Sequence, residues 1–169
     1  VDDQGWLLLP FWPGRLAADH CADALVPVEE RLRALSAVVH ALHELHGTLG
    51  PDGPLCHGDA TLRNVVHDPE SSSARWIDFD TVHEPAEITE RQADDVRAVL
   101  YSALGVLWDA PVGTILDTVQ AGYRNPGIWQ HLRDRLRDGP IHAGPFHMAQ
   151  AAPSAARRRE MERRIISGG

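Results

Sequence analysis

Residues 57–64, His-Gly-Asp-Ala-Thr-Leu-Arg-Asn, and residues 76–80, Trp-Ile-Asp-Phe-Asp, decide how the chain is read. Between them lie a short apolar run, Val65-Val66, and a segment from Asp68 to Ser73 rich in proline, serine and acidic side chains. Two short apolar runs flanking such a segment predict a β-hairpin. Asp59 stands near the start of the loop that enters it, Asn64 at the end of that loop, and Asp78 at the end of the second strand. The three polar groups then converge on one point from two neighbouring strand ends. Two carboxylates and an amide oxygen are hard donors, poor for zinc and good for magnesium and its phosphate ligands. The plain alternative is an acidic loop beside a hairpin, with Asp59 and Asn64 as turn formers.

The pattern His57-x-Asp59-x-x-x-x-Asn64, followed by a strand end reading Ile77-Asp78-Phe79-Asp80, resembles the catalytic and metal-binding loops of the aminoglycoside phosphotransferase and choline kinase family. These are small-molecule relatives of the protein kinases, whose loops usually read His-Arg-Asp and Asp-Phe-Gly. The His-Gly-Asp and Asp-Phe-Asp found here are closer to the small-molecule branch. The resemblance implies ATP- and Mg²⁺-dependent phosphoryl transfer to a small-molecule hydroxyl. Asp59 would be the base or orienter for that hydroxyl, and Asn64 and Asp78 would hold Mg²⁺. His57 would pack under the loop and brace it through hydrogen bonds. Asp80 would support the metal shell. Positioning and charge neutralisation carry most of the rate in such chemistry.

The fold class expected is α+β, mainly α: a protein-kinase-like C-terminal lobe with a small β-hairpin at the catalytic site. Residues 1–14 would be the interlobe linker strand. Residues 15–169 would form the lobe, with the catalytic loop at 57–64 and the metal loop at 77–80. The N-terminal lobe is expected to be absent. All 16 basic residues are arginine, so no lysine is present to grip nucleotide phosphates, and no glycine-rich phosphate loop precedes Gly58. The resemblance therefore covers only the larger lobe, from about Trp6 onward. The chain reads as a fragment, a truncated gene product or a degenerate member, with a separate N-terminal lobe as its missing partner.

A chain of 169 residues is long enough for one domain with a real core, and 43% apolar residues make it globular. The net charge of −8 disfavours a broad nucleic-acid footprint. Cys21 and Cys56 have no paired metal spacing and are too few for a disulfide framework. No apolar run approaches membrane-spanning length and no signal layout opens the chain, so a cytoplasmic address without membrane partners is expected.

Trp6-Leu7-Leu8-Leu9 reads as a strand ended by Pro10. By the resemblance it would link the lobes, with the Pro10 carbonyl and the Trp12 amide facing adenine; an ordinary edge strand fits equally well. Residues 15–27 read as a connector, with a short helical turn at Leu16 to Asp19. A long helix follows from Pro27 to Gly47, its apolar residues recurring three and four apart. His40, His43 and His46 lie along it, and they read as ordinary, partly exposed histidines. A third function class, a zinc hydrolase built on them, lacks the usual His-Glu-x-x-His spacing.

Residues 48–54 read as a loop, and Leu55-Cys56 as a short strand. Residues 81–92 would be the counterpart of an activation segment. A second core helix is expected to begin at Asp94-Asp95. Asp95 would accept hydrogen bonds from the catalytic-loop backbone by the resemblance, and helix N-terminal charge explains both acids as well. Further helices are expected at 114–123 and 128–137, broken by Asn125-Pro126-Gly127. The arginine-rich helix from Ser154 reads as a solvated face. Catalysis competes with a second function class, a non-catalytic pseudokinase-like binding module or inactive lobe.

Overall fold

The computed structural model describes residues 12–51, 53–79, 81, 87–138 and 153–168. Within them the fold is α+β and mainly helical. The expected strand at 6–9, Pro10, Asp80 and the centre of the 81–92 segment lie outside the described residues.

Strand β1 (Arg15–Leu16) leads directly into helix α1 (Ala17–Ala22). The helical turn expected at Leu16 to Asp19 is therefore present within the 15–27 connector and runs on to Ala22, because Ala17, Ala18, His20 and Cys21 are buried and hold it against the core. Helix α2 (Val28–Gly47) begins after Pro27, whose ring fixes the backbone for entry, and carries Glu29 and Glu30 in its positive first turn. Its core face is Ala34, Leu35, Val38, Val39, Leu42 and, one turn on, His46. The histidine is therefore buried, not partly exposed as its polarity suggests.

The 48–56 segment also differs from expectation. Leu49–Gly50 (β2) and Gly53–Pro54 (β3) pair as a tiny hairpin, while Leu55 and Cys56 are not strand. A single 3-10 turn (Leu62–Asn64) then feeds β4 (Val65–Asp68), which pairs antiparallel with β5 (Ser73–Trp76). β1 pairs with the other edge of β4, giving a three-stranded sheet. Val65 and Trp76, opposite one another, face the core.

Helix α3 (Ile88–Val106) starts well before Asp94. The acidic pair is therefore mid-helix and cannot be N-terminal dipole charge. Asp94 pairs with Arg97 one turn later, while Asp95 points inward, 1% exposed. Burial of Val96, Val99, Leu100, Ala103 and Leu104 makes α3 a core helix, and Ser102 on it accepts the Leu62 N–H at 3.0 Å.

Helices α4 (Val112–Gly122) and α5 (Pro126–Arg137) follow. Gly122 lies so close to α2 that a Cβ would stand 2.8 Å from Val39 Cγ1. Asn125-Pro126-Gly127 does not merely interrupt: Asn125 caps α5 by accepting from Gly127 and Ile128 N–H groups, with proline in the first turn. Helix α6 (Ala155–Ser167) is capped by Ser154. Its arginines are not all solvated, since Arg157 donates to the carbonyls of Leu107, Trp108 and Ala110 at 2.9–3.0 Å. That contact satisfies orphan carbonyls beyond α3 and docks α6 on the core.

Candidate active site

The hairpin sets the site. Its pairing continues one step past Val65 and Trp76, because the Ile77 N–H donates to the Asn64 carbonyl at 2.9 Å. Asn64, entering one strand, is thus opposite the residue just before Asp78, which leaves the other. Asp78 has φ 66°, in the left-handed region that side chains other than Asn and Asp rarely enter. β5 ends at Trp76, so Asp78 stands just beyond the strand and not on it. The Asp78 residue is exposed, while Asn64 is buried.

Asp59 and Asn64 are joined directly. The Asn64 Nδ2 donates at 2.8 Å to both the Asp59 carbonyl and the Asp59 carboxylate Oδ2. That orientation leaves the amide Oδ1 as an acceptor for a cation. Arg63, beside Asn64, is exposed. Hard oxygen donors from Asn64 and Asp78 at one end of the hairpin fit Mg²⁺ by their chemistry.

His57 is 1% exposed. Its Nδ1 accepts the Asp59 N–H at 3.2 Å, so the ring proton resides on Nε2 and is donated to the Ile77 carbonyl at 2.8 Å. The ring sits edge-on to Trp76 and tilted on Phe79, with centroids 4.9 and 4.7 Å away. One imidazole thereby ties the loop to the strand end that leads to Asp78.

Gly58 has φ +90°, and a Cβ there would stand 2.4 Å from the Thr81 carbonyl oxygen. Only glycine fits. With the backbone turned this way, two consecutive N–H groups point at α3. The Asp95 carboxylate accepts the His57 N–H at 2.7 Å and the Gly58 N–H at 3.0 Å. Of the adjacent Asp94 and Asp95, Asp95 is the one whose carboxylate accepts these loop amides.

Sequence reasoning missed the other side of Asp95. His46 Nε2 lies 3.0 Å from Asp95 Oδ2, and its Nδ1 lies 2.7 Å from the Tyr123 hydroxyl. Spacing gives a signal for His46, four residues beyond the buried Leu42; nothing local marks Tyr123. His46, Cys56 and Asp95 also place potential metal-ligand atoms within 4.8 Å of one another. Hydrogen bonds already occupy both imidazole nitrogens and both Asp95 oxygens. Burial and the nearby Asp95 push the Cys56 thiol up to about 12, keeping it protonated. Those features fit a brace better than a zinc site.

Trp12, expected near a nucleotide base, lies against the hairpin, its ring 3.6 Å from the guanidinium carbon of Arg75 on β5. In comparisons with family models, with curated proteins and with solved structures, nothing matches this chain.

Proposed function

We propose that the chain is the C-terminal lobe of a small-molecule kinase resembling the aminoglycoside phosphotransferases, moving the γ-phosphate of ATP to a substrate hydroxyl. The observation that carries this reading is the Asn64 side chain. It grips both the carbonyl and the carboxylate of Asp59 at the end of a hairpin whose other strand leads to Asp78. In this reading Asp59 orients the acceptor hydroxyl and takes its proton. Asn64 fixes the Asp59 rotamer through its Nδ2, and its Oδ1 would be the atom offered to a metal. His57, Gly58 and Asp95 set the loop that carries Asp59. Asn64 and Asp78 would hold Mg²⁺, which would supply charge neutralisation for the phosphates. The Pro10 carbonyl and the Trp12 amide are assigned to adenine, and Asp80 to support of the metal shell.

The absence of lysine favours a second reading, in which this lobe is a non-catalytic, pseudokinase-like module or needs a separate small lobe to act. No described helix is long and apolar enough to cross a membrane, and the working assignment is cytoplasmic, with neither nucleic acid nor membrane as partner. The test is phosphate transfer from labelled ATP to a panel of aminoglycosides, sugars and amino alcohols, with and without a kinase small lobe supplied in trans. Transfer abolished by Asp59→Ala supports the kinase. Transfer unaffected by that substitution removes Asp59 from the site, and nucleotide binding without transfer to any acceptor supports the second reading.

A further inference from the structure

We infer that Tyr123 is a positioning residue for the 57–64 loop, acting through His46 and Asp95 to set the loop from the far side of the fold. The inference rests on the kinase reading only in treating that loop as the site.

Tyr123 follows α4 and is 0% exposed. Its hydroxyl lies 2.7 Å from His46 Nδ1, and the opposite ring nitrogen lies 3.0 Å from Asp95 Oδ2. The same Oδ2 accepts the His57 N–H, and Oδ1 accepts the Gly58 N–H. A continuous chain of hydrogen bonds thus runs from α4 through α2 and α3 into the loop. Each of its members is buried.

Proton placement gives the chain a direction. Asp95 already accepts two backbone N–H groups and needs a third donor facing Oδ2, not a lone pair. His46 supplies that donor only if its proton is on Nε2, which makes Nδ1 an acceptor. An acceptor in this buried place needs a hydroxyl that donates, and burial keeps the Tyr123 hydroxyl protonated by raising it above the ordinary tyrosine range. Tyr123 therefore selects the imidazole tautomer that Asp95 requires. Tyr123 is held independently of its hydroxyl: its carbonyl accepts the Trp129 indole N–H at 2.8 Å, and its ring stands edge-on to the His43 ring, centroids 5.1 Å apart. Removing the hydroxyl alone should leave the packing in place.

The test uses the whole chain and needs no turnover. Long-range ¹H–¹⁵N spectra of wild-type protein are expected to show His46 protonated on Nε2 and bare on Nδ1. In Tyr123→Phe, amide hydrogen exchange at His57 and Gly58 is expected to accelerate by about tenfold, the kinetic equivalent of one lost hydrogen bond. Exchange at Val38 and Val39 in the middle of α2 should stay unchanged. A wild-type His46 protonated on Nδ1 or on both nitrogens overturns the inference, and this result is readable even if the variant does not fold. Exchange that rises equally throughout the chain, or does not rise at the two loop amides, overturns it as well. A lobe that never transfers phosphate can still pass or fail both readouts, so the kinase reading and this inference fail separately.

Discussion

Asp95 accepts the His57 backbone N–H at 2.7 Å across 38 positions of sequence, and it is 1% exposed while doing so. A buried carboxylate is tolerated only when its oxygens are occupied by partners, and here the partners include two loop amides and the His46 imidazole. Asp95→Ala leaves all three without an acceptor. The expected loss is about 3 kcal/mol or more in urea unfolding, at the upper end for buried hydrogen bonds to a charged group. A loss below ~1 kcal/mol would mean the carboxylate does not organise the loop.

Gly58 and Gly47 form a matched pair of substitutions. At Gly58 the φ of +90° and the Thr81 carbonyl leave no place for a methyl group. Gly58→Ala should cost roughly 1–3 kcal/mol and, on the proposed kinase reading, abolish the proposed nucleotide binding as well. At the end of α2, nothing lies within 4 Å of a Cβ on Gly47. Gly47→Ala should be neutral or stabilising by up to ~1 kcal/mol. Melting curves of the two variants decide this, and equal behaviour would contradict the loop geometry.

Acid should weaken the fold through His20 and His67, whose ring centroids are 5.0 Å apart between α1 and β4. Burial lowers both below the ordinary 6.5; Arg15 adds to the effect at His20 and His20 adds to it at His67. The unfolded chain then binds more protons than the folded one just below pH 6.5. Stability is therefore complete above 6.5 and falls as pH drops through 6.5 toward the folded values. Urea midpoints measured from pH 8 to pH 5 should decline, and His67→Phe should flatten part of the decline. An identical slope in the variant would assign the acid sensitivity elsewhere.

The His46–Cys56–Asp95 cluster is expected to take up no zinc at micromolar concentration, because binding would have to remove a thiol proton and break the hydrogen bonds on Asp95. Cobalt is a convenient probe. A thiolate-to-cobalt absorption band that is lost in Cys56→Ser would contradict the brace and revive a metal centre.

The parts of the fold readable in the sequence are those with a short period or a local signal. Leu35, Val38, Val39 and Leu42 mark α2, and two short apolar runs around Asp68–Ser73 mark the β4–β5 hairpin. The start of α3 was not readable, because Asp94 and Asp95 imitate N-terminal charge. The real first turn, after Glu87, has no side-chain cap to announce it. The roles of the two acids are decided at long range, by Arg97 for one and the loop amides for the other. The left-handed backbone at Asp78 and the Tyr123–His46 contact are likewise products of packing, and no local pattern encodes them.

Calorimetric titration of the chain with ATP in Mg²⁺, beside Asp78→Ala and Asn64→Ala, tests the proposed metal–nucleotide site most directly. The kinase-lobe account predicts Mg²⁺-dependent binding in the wild-type chain that disappears in both variants. Binding that persists in the variants, or an absence of binding in wild type, would contradict a working site at the end of this hairpin.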